Sequence, residues 1–157
     1  MLSGYHPQRT LHFIAYAAEE VGLKGSQVIA QDFRARQVQV EAVLQFDMTG
    51  FLGDPEKRMI FINDFVNSDL TKWTENLVDT YLRIKWGESE CGYACSDHAS
   101  WDKFEYRSVF PFEATFDTHN KKIHTSADTI EDGKLDFEFV TQFAKLGMAF
   151  VFELAQD

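Results

Sequence analysis

The chain has 157 residues, of which 45% are hydrophobic, and a formal net charge of −10 at pH 7. This length is enough for one domain over residues 1–157 with a sizeable core, and the composition excludes a disordered chain. The negative charge argues against nucleic acid or an anionic membrane as a partner, because both attract clustered positive charge. No apolar run approaches the ~20 residues of a membrane span, and the first residues show no signal peptide.

Apolar and polar segments alternate along the chain in a pattern typical of strands and helices. A continuous apolar run predicts a buried strand over residues 11–18, directly before the acidic pair Glu19-Glu20. Later strands are predicted over residues 38–48, 59–63 and 108–113. Pro111 lies inside the last of these and predicts an edge or bulged strand, because proline cannot donate a ladder hydrogen bond.

The spacing of apolar residues predicts helices from near Ser26 to Gln37 and over residues 70–82, 101–105 and 135–154. The inward face of the helix over residues 70–82 is predicted to carry Leu70, Trp73, Leu77 and Tyr81. The apolar stripe of the last helix is predicted to contain Phe137, Val140, Phe143, Ala144, Gly147, Met148 and Val151. Residues 86–100 predict no regular structure. The alternation of strands and helices favours an α/β fold with a mostly parallel sheet.

Four polar features fall in predicted loops: the pair Glu19-Glu20, Asp47, the segment from Cys91 to His98, and His124. Carboxylate and imidazole groups are the ligands of catalytic zinc, and a carboxylate outside the ligand set can act as a general base. The alternatives from the residues alone stay open. The acidic pair is also typical of a solvated surface, Asp47 of a turn and His124 of a surface position.

Cys91 and Cys95 are the two cysteines of the chain, four positions apart. Such a pair forms a small disulfide loop, a redox pair or two zinc ligands, and two unpaired cysteines are a further alternative. A structural zinc site is under-supplied with ligands here, since no further cysteine is present. A disulfide implies an oxidising compartment.

The segments YAAEEVGLKGSQ, LQFDMTG, CGYACSDHASW and IHTSADT occur in this order. They resemble the secreted bacterial leucyl aminopeptidases, a family of co-catalytic di-zinc exopeptidases. The resemblance covers essentially the whole chain, and CGYACSDHASW is its most specific segment. It implies a three-layer α/β fold of the phosphorylase/hydrolase-like type, with a mostly parallel sheet between helices. It also implies an extracellular location.

The resemblance implies a role for each polar feature. Glu19 matches the general acid/base that takes a proton from the attacking water and passes it to the leaving amine. Glu20 and His124 match the ligands of one zinc, and Asp47 matches a ligand of the other. The family binds two zinc ions; one or none is expected in this chain.

The resemblance further pairs Cys91 with Cys95 in a disulfide. Tyr93, between them, matches the residue whose hydroxyl helps to hold the oxyanion of the tetrahedral intermediate. A pocket for an apolar side chain is implied, lined by Tyr93 and by Met48, Phe61, Phe110, Phe112, Phe116 and Ile123. The alternative, a plain core position, is strongest for Phe61 and Phe112, which lie on predicted strands.

A complete catalytic domain of that family carries further N-terminal strands, which supply one histidine ligand and the aspartate that bridges both zincs. His6 and His12 do not fit those positions, because His6 precedes the first predicted strand and His12 lies inside it. The resemblance therefore implies that residues 1–157 form the C-terminal part of the catalytic domain, lacking the N-terminal strands and beginning within a helix.

Three functions follow as hypotheses. The first is a zinc aminopeptidase that removes leucine-like residues from peptides with a free apolar N-terminus. The second is a catalytically incomplete remnant that binds at most one zinc. The third is a relative with another amide chemistry, such as glutaminyl cyclisation, which a substrate panel distinguishes from the first.

Overall fold

The computed structural model describes residues 6–54, 56, 58–130 and 135–155. Within these ranges the strands are β1 (Val43–Leu44), β2 (Met59–Ile62), β3 (Trp86–Ser89) and β4 (Ser108–Phe112). The helices are α1 (Lys24–Ala35), α2 (Ser68–Leu77), α3 (His98–Lys103) and α4 (Phe137–Leu154). A 3₁₀ turn covers Glu19–Val21, and a π-helical turn at Val78–Leu82 continues α2.

The four strands form one mixed sheet in the order β1-β4-β2-β3. The pairs β1–β4 and β2–β3 are parallel, and β2–β4 is antiparallel. The prediction of an α/β fold whose sheet is mostly parallel is therefore confirmed, with one antiparallel pair at its centre.

Helices cover both faces of this sheet. Side chains of α2 and α4 pack with one face in a cluster of Met59, Phe61, Leu70, Leu77, Val78, Val109, Phe139, Phe143, Leu146 and Phe150. Because side chains alternate along a strand, Ile62 points to the other face, where it packs with Phe110 and Phe112. Helices α1 and α3 contribute Ala30 and Trp101 to a further cluster with Tyr106. None of the described helices is long and apolar enough to span a membrane.

The strand predicted over residues 11–18 is wrong. This segment forms no strand, and Phe13 is 84% exposed. Among the described residues, no backbone hydrogen bond engages residues 11–16, so the apolar run has no neighbouring strand to pair with. The strand predicted over residues 38–48 is likewise reduced to Val43–Leu44, the two positions that reach β4.

Pro111 predicts an edge or bulged strand, and the edge alternative is wrong, since β4 lies between β1 and β2. The carbonyl of Val109 accepts from Gln45 N at 3.0 Å, so it points toward β1. Residues two apart on a strand point to the same side, so the nitrogen of Pro111 also points that way. The β1 ladder has ended at Leu44, so among the described residues no position of β1 pairs with Pro111.

The prediction of no regular structure from residue 86 onward missed β3. Gly87 and small polar residues hid it, and pairing with β2 imposes the strand, because strand formation depends on cross-strand context. The inward position predicted for Tyr81 is wrong, since its side chain is 53% exposed. In the π-helical turn, Val78 and Leu82 face the core instead. The short helix predicted from residue 101 begins earlier, at His98.

Helix α4 begins at Phe137, after Asp136, whose side chain accepts from the N–H groups of Glu138 and Phe139. The predicted stripe is wrong for most of its members. Phe137 is 73% exposed, and the residues of α4 that are buried are Phe139, Phe143, Leu146, Ala149 and Phe150. The helix is apolar on two faces, and the predicted face, with Ala144, Gly147, Met148 and Val151, lines an open cavity instead.

Candidate active site

The acidic pair Glu19-Glu20 lies on a 3₁₀ turn that begins after Ala18. Ala18 has a φ of 59°, and Leu23 at the far side of the turn has a φ of 56°. Left-handed backbone at residues with a Cβ costs about 1–3 kcal/mol and concentrates at functional sites. Two carbonyl hydrogen bonds hold the turn, from Gly22 N and Leu23 N to Glu19 O.

Helix α1 fixes the position of this turn through Gly25. The N–H of Gly25 donates to the carbonyl of Ala17 at 3.0 Å. A Cβ on Gly25 would lie 2.3 Å from that same oxygen, so no larger residue fits without moving the backbone. The close approach places the start of α1 directly against the residues that lead into Glu19.

His124 reaches the same place from the distal loop. Its Nε2 lies 2.9 Å from Oε1 of Glu20, and both side chains are exposed. His124 also has a left-handed backbone, with a φ of 63°. The structure thus brings together the two residues that the sequence assigned to a single zinc.

Asp47 follows β1 and is oriented by a serine that the sequence analysis did not single out. The hydroxyl of Ser96 donates to Oδ2 of Asp47 at 2.8 Å. Ser96 is fully buried and directly follows Cys95. The disulfide loop therefore contacts the Asp47 side of the site.

Burial and the neighbouring carboxylates together raise the pKa of Glu19. Burial is the largest cause, and the nearby carboxylates of Glu20, Asp47 and Asp97 raise the pKa further, while His124 lowers it. A raised pKa suits a carboxylate that must both accept and return a proton, because exchange is most efficient when the pKa approaches the working pH.

Asp97 is a second residue that sequence reasoning missed. It is 5% exposed, burial raises the pKa of its carboxyl, and its Oδ1 has no hydrogen-bond partner among the described residues. Its position within the specific segment CGYACSDHASW was the available signal. A buried, half-satisfied carboxylate next to Glu19 adds to the concentration of negative charge here.

Cys91 and Cys95 form a disulfide, as the resemblance implied. Tyr93, in the loop that they close, is 56% exposed, and its ring lies 6.0 Å from the ring of Phe116. The ring of His119, which the sequence analysis did not single out, lies 5.0 Å from the ring of Phe116 in a tilted arrangement.

One cavity of about 1900 Å³ joins these features. Glu19, Glu20, Asp47 and His124 line it, together with the disulfide and Tyr93. The predicted pocket residues Met48, Phe110, Phe112, Phe116 and Ile123 also line it. Phe61 is the exception: it is fully buried, packs against Trp86, and is a core residue because its side chain points to the opposite face of the sheet.

The histidine and carboxylate groups of the site are of the types that bind zinc, but too few of them lie close together to complete a zinc site among the described residues. A histidine nitrogen beside a carboxylate oxygen is a typical pair of zinc ligands. Within the described ranges, however, no group of three or more histidine, cysteine, aspartate or glutamate residues is placed to hold a metal. Glu20 and His124 bring a carboxylate oxygen and an imidazole nitrogen to 2.9 Å of each other, and Asp47 lines the same cavity.

Residues 2–151 match the family model described as Peptidase family M28. Leucine aminopeptidase 1 of the fungus Metarhizium robertsii is 44% identical over 151 residues, which cover 92% of this chain and 38% of that protein. The crystal structure of the Legionella pneumophila aminopeptidase LapA is 42% identical with a TM-score of 0.93, covering 98% of this chain and 41% of that one. A Bacillus subtilis zinc aminopeptidase shares the fold, with a TM-score of 0.77 at 20% identity.

Proposed function

Because this chain belongs to peptidase family M28, we propose that it is the C-terminal part of a zinc aminopeptidase that removes leucine-like residues from the free N-terminus of peptides. The observation that carries this proposal is the convergence of Glu19, Glu20, Asp47 and His124 on one cavity with an aromatic wall. The chain spans about 40% of the length of the relatives it matches, so the activity of the whole protein is part of the proposal.

Glu19 is the proposed general acid/base. Its raised pKa favours proton transfer in both directions: it takes a proton from the attacking water and returns it to the leaving amine. Ala18, directly before Glu19, has a left-handed backbone with a φ of 59° and begins the turn that carries the acidic pair.

Glu20 and His124 are the proposed ligands of one zinc, and Asp47 of a second, with Ser96 orienting the Asp47 carboxylate. Bound zinc would polarise the scissile carbonyl and increase the acidity of water. A hydroxyl that fixes a ligand carboxylate contributes to metal affinity, since outer-shell partners orient the ligand.

Tyr93 is the proposed donor to the oxyanion. It is exposed in the cavity, and its ring contact with Phe116 orients it along the aromatic wall. Met48, Phe110, Phe112, Phe116 and Ile123 form the proposed pocket for the apolar side chain of the substrate. Removal of such a side chain from water supplies the preference for leucine-like residues, at about 0.8 kcal/mol for each buried CH₂ group.

The experiment is a comparison of Glu19→Ala with the control Glu138→Gln, an exposed position in the first turn of α4. Hydrolysis of a leucyl anilide and bound zinc are measured on the same samples. We expect Glu19→Ala to abolish hydrolysis with unchanged zinc content, and the control to retain both. Hydrolysis by Glu19→Ala at the rate of the control would refute the assignment.

The second candidate function is a catalytically incomplete chain that binds at most one zinc. Two observations favour it: the lack of a three-ligand group in the described ranges, and a cavity larger than the ~300–1,000 Å³ of a small-molecule pocket. Metal analysis of the purified chain separates the two candidates. Two tightly held zinc ions for each chain exclude the incomplete form, whereas one or none with no hydrolysis supports it.

An extracellular location is part of the proposal. The Cys91–Cys95 disulfide supports it, because such bonds persist in oxidising compartments. Mass spectrometry of alkylated protein from the producing cells and their medium tests this: the oxidised pair is expected in the medium fraction, and chain confined to the cytosol with reduced cysteines contradicts it.

A further inference from the structure

The loop that carries Tyr93 is attached to the sheet by a carboxylate that none of the preceding roles uses. Oδ2 of Asp64 accepts from Cys91 N at 2.5 Å and from Gly92 N at 3.0 Å. Asp64 lies just beyond β2, far from this loop in sequence. Hydrogen bonds to an ionised acceptor are roughly twice as strong as neutral ones.

The backbone of the loop is shaped to present both N–H groups. Gly92 has a φ of 83°, and successive N–H groups around a left-handed residue form a concavity that binds an anion. The space around Gly92 is open, with no atom within 4 Å of an added Cβ, so the glycine serves the backbone conformation and not packing. The carboxylate of Asp64 occupies this concavity.

The backbone of Asp64 is in turn held by a hydrogen bond from His98. The Nε2 of His98 lies 3.1 Å from the carbonyl oxygen of Asp64, and the ring is fully buried and stacked on Phe110 at 4.6 Å. Burial lowers the pKa of His98 to about 4, so the ring is neutral near pH 7. Because a carbonyl can only accept, the proton is on Nε2, and the buried Nδ1 is left without a partner among the described residues.

The disulfide constrains the shape of the Cys91–Cys95 loop, whereas Asp64 constrains the position of this loop on the sheet. The disulfide joins Cys91 to Cys95 and so fixes the two ends of the loop relative to each other. Asp64 fixes the loop relative to the sheet, at the two residues that immediately precede Tyr93. The orientation of Tyr93 over the cavity therefore depends on Asp64 more directly than on the disulfide.

We propose that Asp64, supported by His98, is a positioning residue that holds Tyr93 over the cavity through the backbone of Cys91 and Gly92, and that it does so whether or not the disulfide is formed. The functional meaning of this positioning rests on the proposed role of Tyr93 in catalysis. The attachment of the loop to Asp64 can be tested without any measurement of activity.

The test compares Asp64→Ala and Asp64→Asn with Asp69→Ala, an exposed aspartate of α2 as the control. Nuclear magnetic resonance measures hydrogen exchange of the Cys91 and Gly92 amides and the ring contact of Tyr93 with Phe116, before and after reduction by dithiothreitol. In the unaltered chain, both amides should remain protected after reduction. In Asp64→Ala they should exchange about tenfold faster or more with the disulfide intact, as loss of a charge-assisted hydrogen bond implies.

Asp64→Asn keeps an accepting oxygen and should restore the ring contact and part of the protection, which also covers the case in which Asp64→Ala does not fold. Loss of protection on reduction of the unaltered chain, or full protection in Asp64→Ala, overturns the proposal. Where a leucyl anilide is hydrolysed, Asp64→Ala should lower kcat with little change in KM, since Tyr93 acts in the transition state. A chain without hydrolysis refutes the proposed function and leaves the exchange result to decide on Asp64.

Discussion

His124 Nε2 lies 2.9 Å from Oε1 of Glu20, although the two residues come from opposite halves of the chain. The side chains are 65% and 67% exposed. An ion pair with this much solvent contributes about 0–1 kcal/mol to stability. The contact therefore adds little to the fold, which agrees with the proposed role of the two residues as metal ligands.

Replacement of either member should separate metal binding from stability. We expect Glu20→Ala and His124→Ala each to change the free energy of unfolding by less than about 1 kcal/mol. Zinc affinity should fall strongly in both, because each removes one of few donors. Denaturant unfolding and competition with a zinc indicator measure the two quantities; unchanged zinc affinity would contradict the assignment.

Ser96→Ala tests the support of Asp47. The variant removes the donor 2.8 Å from Oδ2 of Asp47 and should lower zinc affinity by about 10–100-fold, the usual effect of an outer-shell partner. Ser68→Ala, at an exposed serine at the start of α2, is the matched control. Equal zinc affinities of the two variants in the same titration would argue against Asp47 as a ligand.

Gly25→Ala tests the contact that positions the acidic turn. The added Cβ would lie 2.3 Å from Ala17 O, and overpacking of this kind costs about 1–3 kcal/mol. The backbone that leads to Glu19 must then move, so hydrolysis or zinc binding should fall as well. Gly22→Ala provides the comparison. An added Cβ at Gly22 meets no atom within 4 Å, so this variant adds only the backbone strain of an alanine at a φ of 98°. A Gly25→Ala variant as stable as the parent chain would show that the approach is not close.

Glu75 should make stability depend on pH. Its side chain is buried in α2, and burial, with Glu88 nearby, raises its pKa from the ordinary 4.5 to about 7. The folded state therefore holds a proton that the unfolded state releases between these values. This stabilisation is fully present below about pH 4.5 and is lost as the pH rises through about 7.

The substitution Glu75→Gln should remove that dependence. The variant should resist urea better than the parent chain at about pH 8.5 and lose this advantage at about pH 5, since glutamine stays neutral throughout. Glu138→Gln, at an exposed site, controls for the general loss of a negative charge. If Glu75→Gln resisted urea better than the parent chain by the same amount at both pH values, a buried proton on Glu75 would be ruled out.

Substitution of Phe143 should lower the free energy of unfolding strongly, whereas substitution of Phe13 should leave it almost unchanged. Phe143 is 2% exposed, so Phe143→Ala should cost about 3–5 kcal/mol of unfolding free energy. Phe13 is 84% exposed, in a segment that pairs with no strand of the described residues, so Phe13→Ser should change stability by less than about 0.5 kcal/mol. It should reduce self-association, which light scattering measures, because exposed apolar edges promote aggregation. Unchanged light scattering of Phe13→Ser would exclude the segment around Phe13 as the surface through which the chain associates.

Local patterns in the sequence determined the elements that depend on short-range physics. The apolar periodicity of α1, α2 and α4 identified each helix. Asn67 caps α2, and its side-chain oxygen accepts from Leu70 N at 2.9 Å. The segment around Cys91 and Cys95 identified the disulfide through resemblance. The polar residues Glu19, Glu20, Asp47 and His124 could be selected because they stand in loops between apolar runs.

Only the tertiary structure decided what each apolar surface packs against. Residues 11–18 have the composition of a strand and form none, because a strand exists only when a partner satisfies its backbone. Both faces of α4 are apolar in sequence, and contact with the sheet selects the one that carries Phe139, Leu146 and Phe150. Ser96, Asp97 and Asp64 acquire their contacts from neighbours that lie far away in the chain. The segment CGYACSDHASW marks Ser96 and Asp97 by resemblance alone, and no local pattern marks Asp64.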